Sequence, residues 1–310
     1  MANTKASQVM IKQFCVVIML LAPFKAFCNQ MTFDYQVHQQ NSHIIHVVEF
    51  NPSHYETLLV EADNEFHKES LVNLAEKSKA KFAINAGFFK VNKNGEASPS
   101  GALSIEKKWL SGSSLPRAAL GWNEKEAIID NLVVQMKSNP PQLIPQRRPV
   151  SKWMQMTYVV SGAPLLVSNG KINTNFDQEK ITYQDFIAEP HARTAIGLKP
   201  NGNWVIVVVE QRYELKENTL DVKLLKAYFQ DADRLAKKRI RETLEMPVKG
   251  MTIPELADWM LKLGCEWALN LDGGASTGLY LEGAMKTRLL ENSPFPAQFS
   301  REINTAIIVK

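Results

Sequence analysis

Short apolar runs separated by polar turns dominate the chain and predict a protein built mostly of β-strands. The clearest runs are rich in β-branched residues: HIIHVVEF at 43–50, YETLLVEA at 55–62 and WVIVVVE at 204–210. Three Asn-Gly dipeptides between apolar segments predict two-residue hairpin turns: Asn94-Gly95, Asn169-Gly170 and Asn201-Gly202. The Pro-rich stretch 139–149 is predicted to be an extended surface crossover.

Helical periodicity is limited to three segments, at 69–80, 221–244 and 252–263. In the last of them Thr252 and Glu255 have capping-box spacing, which is typical of a helix start. The segment 221–244 is long and highly charged, with a narrow apolar stripe. The pattern therefore predicts a chain with more strands than helices.

The N-terminal segment differs in composition from the rest of the 310 residues. Residues 1–28 contain three lysines, no acidic residue and an apolar run from Phe14 to Phe24. This run is shorter than the roughly 20 apolar residues that a membrane-spanning helix needs. We therefore predict a signal peptide at 1–28, cleaved after Cys28, and a periplasmic or secreted mature chain at 29–310 without a membrane span. An uncleaved membrane anchor is the alternative.

Removal of that segment leaves a nearly neutral protein. The 36 basic residues of the whole chain fall to 33, against 32 acidic ones. A chain without a basic, aromatic-rich stripe is not expected to bind nucleic acid. Cys265 becomes the last remaining cysteine, which excludes an internal disulfide and a cysteine-based zinc site in the mature chain.

Candidate chemistry lies where polar residues and glycines interrupt apolar strands. Four segments have this character: NAGFF at 85–89, HARTAIG at 191–197, EQR at 210–212 and NLDGGAST at 270–277. Consecutive glycines after a strand can point backbone N–H groups into one anion-binding concavity. Arg193 could grip a phosphate there, while Asp272 addresses the anomeric carbon of a sugar phosphate.

Ordinary structural roles remain open for the same residues. An Asp-Gly-Gly sequence is often only a hairpin connection. Arg193 could form an ion pair at a strand end, and Asn85 could cap a turn.

The order of these segments and the residues in them resemble the phosphodiester glycosidase family over roughly residues 80–310. The similar segments are FAINAGFF, GAPLLVSNGKI, ARTAIG and LNLDGGAST, the last preceded by the helix PELADWMLKLGC. The chain departs from the family pattern at Ala192, at Ala275 and at Glu210, where the family tends to have Pro, Gly and Asp. A helical insertion at about 214–250 also has no counterpart in that pattern.

This resemblance implies an α+β fold with a mixed, largely antiparallel curved sheet and a few packed helices. It further implies hydrolysis of a sugar-1-phosphodiester at the glycosidic bond, releasing sugar and a phosphomonoester, on an envelope or extracellular glycan such as an exopolysaccharide. In this interpretation Asp272 is nucleophile or base, Glu210 a second carboxylate and Arg193 the phosphate clamp. The remaining residues expected to contact substrate are Asn85, Thr194, Asn270, Gly273, Gly274, Ser276 and Thr277.

Two other functional classes stay open at this point. A metal-dependent phosphodiesterase would use Asp272, Glu210 and Asn85 around Ca²⁺ or Mg²⁺ and would cut the P–O bond. A glycan-binding envelope protein would bind sugar phosphates without turnover. No cofactor is required by the sequence, and the oligomeric state and the sugar are not indicated by it.

Overall fold

Antiparallel sheets make up most of the structure. The computed structural model describes residues 33–181, 183–215, 244–288 and 301–310. The predicted signal peptide and nearly all of the helix predicted at 221–244 lie outside these residues. The part that is described forms an α+β fold of curved, largely antiparallel sheets with a few helices, as the resemblance implied.

The largest sheet has seven strands and contains the strands of three motif segments. Numbered in chain order, its strands are β1 (Asp34–Gln40), β2 (His43–Phe50), β16 (Trp204–Val209), β15 (Arg193–Leu198), β19 (Trp267–Asn270), β13 (Leu165–Ser168) and β14 (Lys171–Ile172), in this spatial order. Every neighbouring pair in the sheet is antiparallel. The runs predicted at 43–50 and 204–210 are thus confirmed as β2 and β16.

Two further sheets cover one face of this sheet. The five-stranded sheet consists of β21 (Ala284–Met285), β20 (Leu279–Leu281), β4 (Phe82–Asn85), β22 (Thr305–Val309) and β3 (Thr57–Glu61). The six-stranded sheet consists of β11 (Gln142–Pro145), β10 (Ala127–Gln135), β9 (Ser113–Trp122), β12 (Tyr158–Ser161), β7 (Leu103–Ile105) and β8 (Lys108–Ser111). A common hydrophobic core includes Ile206, Ile84 and Leu120, one from each sheet.

Two short ribbons complete the strands. One joins β5 (Phe89–Val91) to β6 (Ala97–Pro99), and the other joins β17 (Gln211–Leu215) to β18 (Leu244–Lys249). The second ribbon forms the described ends of the insertion predicted at 214–250. These ends are strands, which corrects the helical prediction for this part of the insertion.

Four α-helices are present in the described ranges: α1 (Leu71–Lys77), α2 (Val150–Met154), α3 (Gln184–Ala188) and α4 (Ile253–Lys262). Helix α4 starts as predicted, with a capping box. The side chain of Thr252 accepts from the N–H of Glu255, and the side chain of Glu255 accepts from the N–H of Thr252. Its apolar face includes Leu256 and Met260, which pack on the second face of the seven-stranded sheet. That sheet is therefore buried on both faces, which explains the continuous apolar run of β16. No helix in the described ranges is long and apolar enough to cross a membrane.

All three Asn-Gly dipeptides lie in hairpins as predicted, but the connection has two residues at only one of them. Asn169 and Gly170 connect β13 directly to β14, with φ angles of 51° and 67°. Asn94-Gly95 and Asn201-Gly202 lie in longer loops, 92–96 and 199–203, which join the antiparallel pairs β5–β6 and β15–β16. The Pro-rich stretch is extended as predicted and supplies the edge strand β11.

Candidate active site

Three neighbouring strands bring the predicted site segments to one edge of the seven-stranded sheet. Val209 at the end of β16 pairs with Arg193 at the start of β15, and Asn270 at the end of β19 pairs with Ala195. Adjacent strands are about 4.8 Å apart, so β16 and β19 are separated by roughly 10 Å. Glu210 and the Asp272 loop therefore leave the same edge on either side of β15.

The loop after β19 uses its backbone N–H groups within the protein. The N–H of Gly273 donates to Asp272 Oδ1 at 2.9 Å, and the N–H of Gly274 donates to the carbonyl of Ala192 at 2.8 Å. A Cβ at position 273 would lie 2.7 Å from the Ala192 oxygen, and Gly274 has a φ of +59°. These glycines allow the backbone of the loop to lie close to the backbone of Ala192. The prediction that Gly273 and Gly274 bind substrate through their N–H groups is therefore not supported.

Three polar atoms around this loop are buried without a hydrogen-bond partner: Asn270 Oδ1, Ser276 Oγ and Thr277 Oγ1. Asn270 uses its amide nitrogen on the carbonyls of Ala163 and Leu271, at 2.6 and 2.8 Å. Buried polar atoms are nearly always paired, so unpaired atoms need an explanation such as a functional role or an unseen water. A polar group of a substrate could satisfy these atoms.

Asp272 has the electrostatic character of a functional carboxyl. Burial raises its pKa to about 6, although the Ser276 hydroxyl, the charge of Arg301 and the N–H of Gly273 act in the opposite direction. The Ser276 hydroxyl is near the carboxylate without completing a hydrogen bond of standard geometry. The residue keeps partial solvent exposure. A carboxyl whose pKa is raised to about 6 can change its protonation state near neutral pH.

Asn85 and Thr194 hold the Asp272 loop in place through hydrogen bonds inside the core. The amide nitrogen of Asn85 donates to the Asp272 carbonyl at 2.6 Å. Its oxygen accepts from Thr194 Oγ1 at 2.7 Å and from the N–H of Gly278 at 3.1 Å. Both side chains are 0% exposed. Asn85 and Thr194 thus support the loop from inside the core, and their contact with substrate stays a prediction.

Arg193 is likewise bound to the protein itself. Its Nε donates to the carbonyl of Met251 at 2.9 Å, and one terminal nitrogen donates to the carbonyls of Phe186 and Glu189 at 2.7 and 3.1 Å. The guanidinium also lies over the Phe186 ring. Burial lowers its pKa to about 10. These contacts differ from the predicted phosphate clamp and make Arg193 a structural cross-link between β15, α3 and the start of α4.

Glu210 is the centre of a buried hydrogen-bond network. Its carboxylate accepts from His46 Nε2 at 2.7 Å, from Arg212 Nε at 2.6 Å and Nη2 at 3.0 Å, and from the Arg288 N–H at 3.0 Å. A carboxylate has about four acceptor sites, and these bonds occupy them. The bonds from His46, Arg212 and Arg288 lower the pKa of Glu210 despite its burial. The structure therefore makes Glu210 an ionised anchor of this network, and its assignment as a second catalytic carboxylate stays a prediction.

A cavity of about 430 Å³ opens next to the end of β19, the strand that precedes the Asp272 loop. Its described lining is rich in aromatic rings and contains two cations and no carboxylate; it includes Phe88, Phe89, Tyr183, Phe186, Arg117 and Lys180. Ala163 joins the cavity wall to β19, because its N–H donates to the carbonyl of Asn270 and its carbonyl accepts from the side-chain amide of Asn270. This lining suits an anionic ligand that carries a ring.

Sequence reasoning selected Glu210 and Arg212 but missed His46 of the same network, and it missed the two cations of the cavity. Arg117 and Lys180 belong to no motif, and His46 lies in an ordinary strand pattern. Other lining residues do lie in the segments singled out from the sequence: Phe88 and Phe89 in NAGFF, Gly162 and Ala163 in GAPLLVSNGKI. Within the described residues, no group of three or more His, Cys, Asp or Glu side chains could hold a metal ion.

The fold and the motifs can now be compared with known proteins. The sequence matches the phosphodiester glycosidase family over residues 78–233 and 240–310. An uncharacterised protein of Rickettsia conorii is 37% identical over 118 residues, which cover 33% of this chain and 38% of that protein. The chain thus spans less than half the length of this relative.

Solved structures share the fold at low sequence identity. A hypothetical protein from Synechocystis has a TM-score of 0.61 at 19% identity, with 89% of this chain and 61% of that chain covered. The catalytic domain of zebrafish N-acetylglucosamine-1-phosphodiester alpha-N-acetylglucosaminidase has a TM-score of 0.59 at 17% identity, with 90% and 82% covered. The family match extends over most of the chain and includes Asp272 and the strands that position it. The chain therefore belongs to the phosphodiester glycosidase family.

Proposed function

We propose that this protein hydrolyses a sugar-1-phosphodiester at the glycosidic bond and that Asp272 is its catalytic carboxyl. The observation that carries the proposal is the buried carboxyl of Asp272, whose pKa is raised to about 6, in the loop after β19, the strand whose Asn270 bonds to Ala163 in the wall of an aromatic cavity with two cations. Membership of the phosphodiester glycosidase family supports the reaction class. The zebrafish structural relative is named for a sugar-1-phosphodiester, which makes this class the first substrate to test.

In the proposed mechanism one carboxyl is sufficient. A phosphomonoester is a good leaving group, so protonation of the leaving oxygen contributes less than in an ordinary glycoside. Asp272, in its ionised form, then either attacks the anomeric carbon as nucleophile, forming a glycosyl-enzyme that water hydrolyses, or deprotonates the water that attacks this carbon. In either case the bond between the anomeric carbon and the phosphate oxygen breaks and the phosphomonoester leaves. Asn85 and Thr194 keep the Asp272 loop in place through hydrogen bonds inside the core. Ser276 and Thr277 are the residues of this loop assigned to the substrate, while Asn270, which is 0% exposed, supports the loop through its bonds to Ala163 and Leu271.

The phosphate is assigned to the cations of the cavity. Lys180 and Arg117 line the cavity, whereas Arg193 donates hydrogen bonds to backbone carbonyls. Arg301 is a third cation close to Asp272, where its charge favours the ionised carboxylate. The aromatic rings of Phe88 and Phe186 provide apolar walls against which a sugar ring can pack.

The proposal includes a place of action outside the cytoplasm, on an envelope or extracellular glycan. It is supported by the lysine-bearing apolar segment at 1–28, which has the pattern of a cleaved signal peptide. Mass spectrometry of the exported protein would show a mature N-terminus near Asn29. An intact N-terminus on a membrane-bound protein would contradict cleavage.

The reaction itself is tested by hydrolysis of an N-acetylglucosamine 1-phosphodiester of a simple alcohol in ¹⁸O-labelled water. Cleavage at the glycosidic bond places the label in the sugar and leaves the phosphomonoester unlabelled. Asp272→Asn should lower the rate by about 10²–10⁴-fold or more. The matched control is Asp258→Asn, which changes a half-exposed aspartate on α4 and should keep full activity.

Other results would identify another function. Label in the phosphate, with sugar-1-phosphate as a product, would indicate P–O cleavage by a phosphodiesterase. Tight binding without any turnover would indicate a glycan-binding protein. Near-native activity of a folded Asp272→Asn variant would refute the role given to Asp272.

A further inference from the structure

Two hydrogen bonds link Tyr35 and His46, in the N-terminal hairpin of β1 and β2, to Glu210 at the end of β16. Tyr35 Oη lies 2.9 Å from His46 Nδ1, and His46 Nε2 lies 2.7 Å from Glu210 Oε1. His46 is 4% exposed and Glu210 is 2% exposed. Both Tyr35 and His46 precede the residues that match the family, which begin at 78. The hairpin therefore adds side chains that the family motifs do not describe.

Sheet register explains why His46 can reach Glu210. His46 pairs with Val208 of β16, and Val208 pairs with Thr194 of β15. Paired residues lie on the same face of a sheet, and side chains two positions apart along a strand also share a face. Glu210 is two positions beyond Val208, so it lies one step closer to the sheet edge than His46. His46 and Thr194 thus belong to one row of the sheet, two strands apart.

The donors and acceptors define how His46 is bonded. An ionised carboxylate can only accept, so Nε2 of His46 must carry the proton shared with Glu210. The hydroxyl of Tyr35 can then donate to Nδ1, which satisfies both ring nitrogens. A buried ring with both nitrogens bonded has one preferred orientation, because breaking either bond would leave a polar atom unpaired in the core.

The effect of His46 passes through Glu210 to two other parts of the chain. The same carboxylate binds the guanidinium of Arg212 in β17 and the N–H of Arg288, which follows β21. Without His46, Oε1 of Glu210 would keep the bond from Arg212 Nη2 at 3.0 Å. The carboxylate could then rotate toward solvent or toward Arg212, and the position of Arg212 would be less well defined.

We propose that His46 is a positioning residue of this site: through Glu210 it holds Arg212 and the backbone at Arg288 at the end of the core that carries Asp272. The structural part of this inference is independent of the reaction. Its kinetic consequence rests on the proposed function.

The structural part is tested by following the Nε–H resonance of Arg212 by ¹⁵N NMR, assigned with Arg212→Lys. His46→Leu removes the donor to Glu210, and His46→Gln keeps an amide nitrogen at a similar reach. Tyr35→Phe removes only the outer bond. The matched control is His54→Gln, because His54 is an exposed histidine of the loop after β2. We expect the resonance to be protected in the wild type and in His54→Gln, broadened or lost in His46→Leu, and restored in His46→Gln.

The kinetic part uses the same variants on the sugar-1-phosphodiester. Loss of an outer hydrogen bond that orients a site residue typically costs about 10–100-fold, so kcat/KM should fall by that factor in His46→Leu and recover most of it in His46→Gln. An unchanged Arg212 resonance in folded His46→Leu would overturn the positioning role. Normal kcat/KM in His46→Leu would overturn its importance for the reaction. If the wild type is inactive but the Arg212 resonance changes in the variants as expected, the proposed function is refuted and the positioning role is confirmed.

Discussion

Replacement of Asn85 by alanine separates a structural role from a substrate contact. Asn85 is fully buried and makes three hydrogen bonds, to the Asp272 carbonyl, Thr194 Oγ1 and the Gly278 N–H. In Asn85→Ala the three partners lose their bonds inside the core. Each unsatisfied buried partner costs about 1–3 kcal/mol, and neighbouring losses are less than additive, so we expect the free energy of unfolding to fall by about 3–5 kcal/mol.

The measurement is denaturant unfolding followed by circular dichroism. Thr194→Val removes one of the three bonds and should cost about 1–2 kcal/mol, which gives a graded value if the alanine variant does not fold. The control Asn73→Ala changes an exposed residue of α1 and should stay within about 0.5 kcal/mol of the wild type. A stability loss below about 1 kcal/mol in Asn85→Ala, together with a raised KM, would refute the structural role and restore the predicted sugar contact.

Three further predictions concern charge. Lys180→Gln should raise KM for the phosphodiester, because Lys180 is one of the two cations that line the cavity. Arg193→Lys should lower the free energy of unfolding by about 2 kcal/mol or more and change KM little, because lysine cannot reach the three carbonyls that Arg193 binds. The pKa of Asp272 is raised from 3.8 to about 6, so its folded form binds protons more tightly than its unfolded form and the native state loses stability as pH rises between about 4 and 6. Thermal unfolding should therefore show Asp272→Asn gaining stability over the wild type at pH 7.5, with the gain disappearing below pH 4. Hydrolysis should continue in EDTA, and a loss that Ca²⁺ or Mg²⁺ reverses would favour the metal-dependent phosphodiesterase.

Local patterns were sufficient to predict the secondary structure around the site. The β-branched run of β16 and the capping box of α4 are encoded within a few residues, and both elements appear where they were predicted. The turn at Asn169-Gly170 is equally local, because both residues adopt the positive φ angles that this turn requires. The two other Asn-Gly turns depended on where the flanking strands stop pairing, which is decided by distant strands.

Side-chain roles at the site could not be predicted to the same extent. Asn85 ends β4 of the five-stranded sheet, whereas Arg193 starts β15 and Glu210 follows β16 in the seven-stranded sheet. Some of their hydrogen-bond partners are distant in sequence, such as Met251 for Arg193, 58 residues away, and Asp272 for Asn85, 187 residues away. An arginine that grips a phosphate and one that grips carbonyls have the same local sequence, so only the fold distinguishes them.

The same comparison explains why Asp272 stands apart from the other predicted residues. Asn85, Arg193 and Glu210 have a full or nearly full set of protein partners, and burial of such groups is tolerated because those partners replace water. Asp272 accepts one backbone bond, from Gly273, and burial still raises its pKa. A carboxyl that is desolvated without full compensation destabilises the folded protein, and such a cost is typical of functional sites. Asn85 and Thr194 hold the loop in place, and in the proposed function the Asp272 carboxyl is the group that reacts.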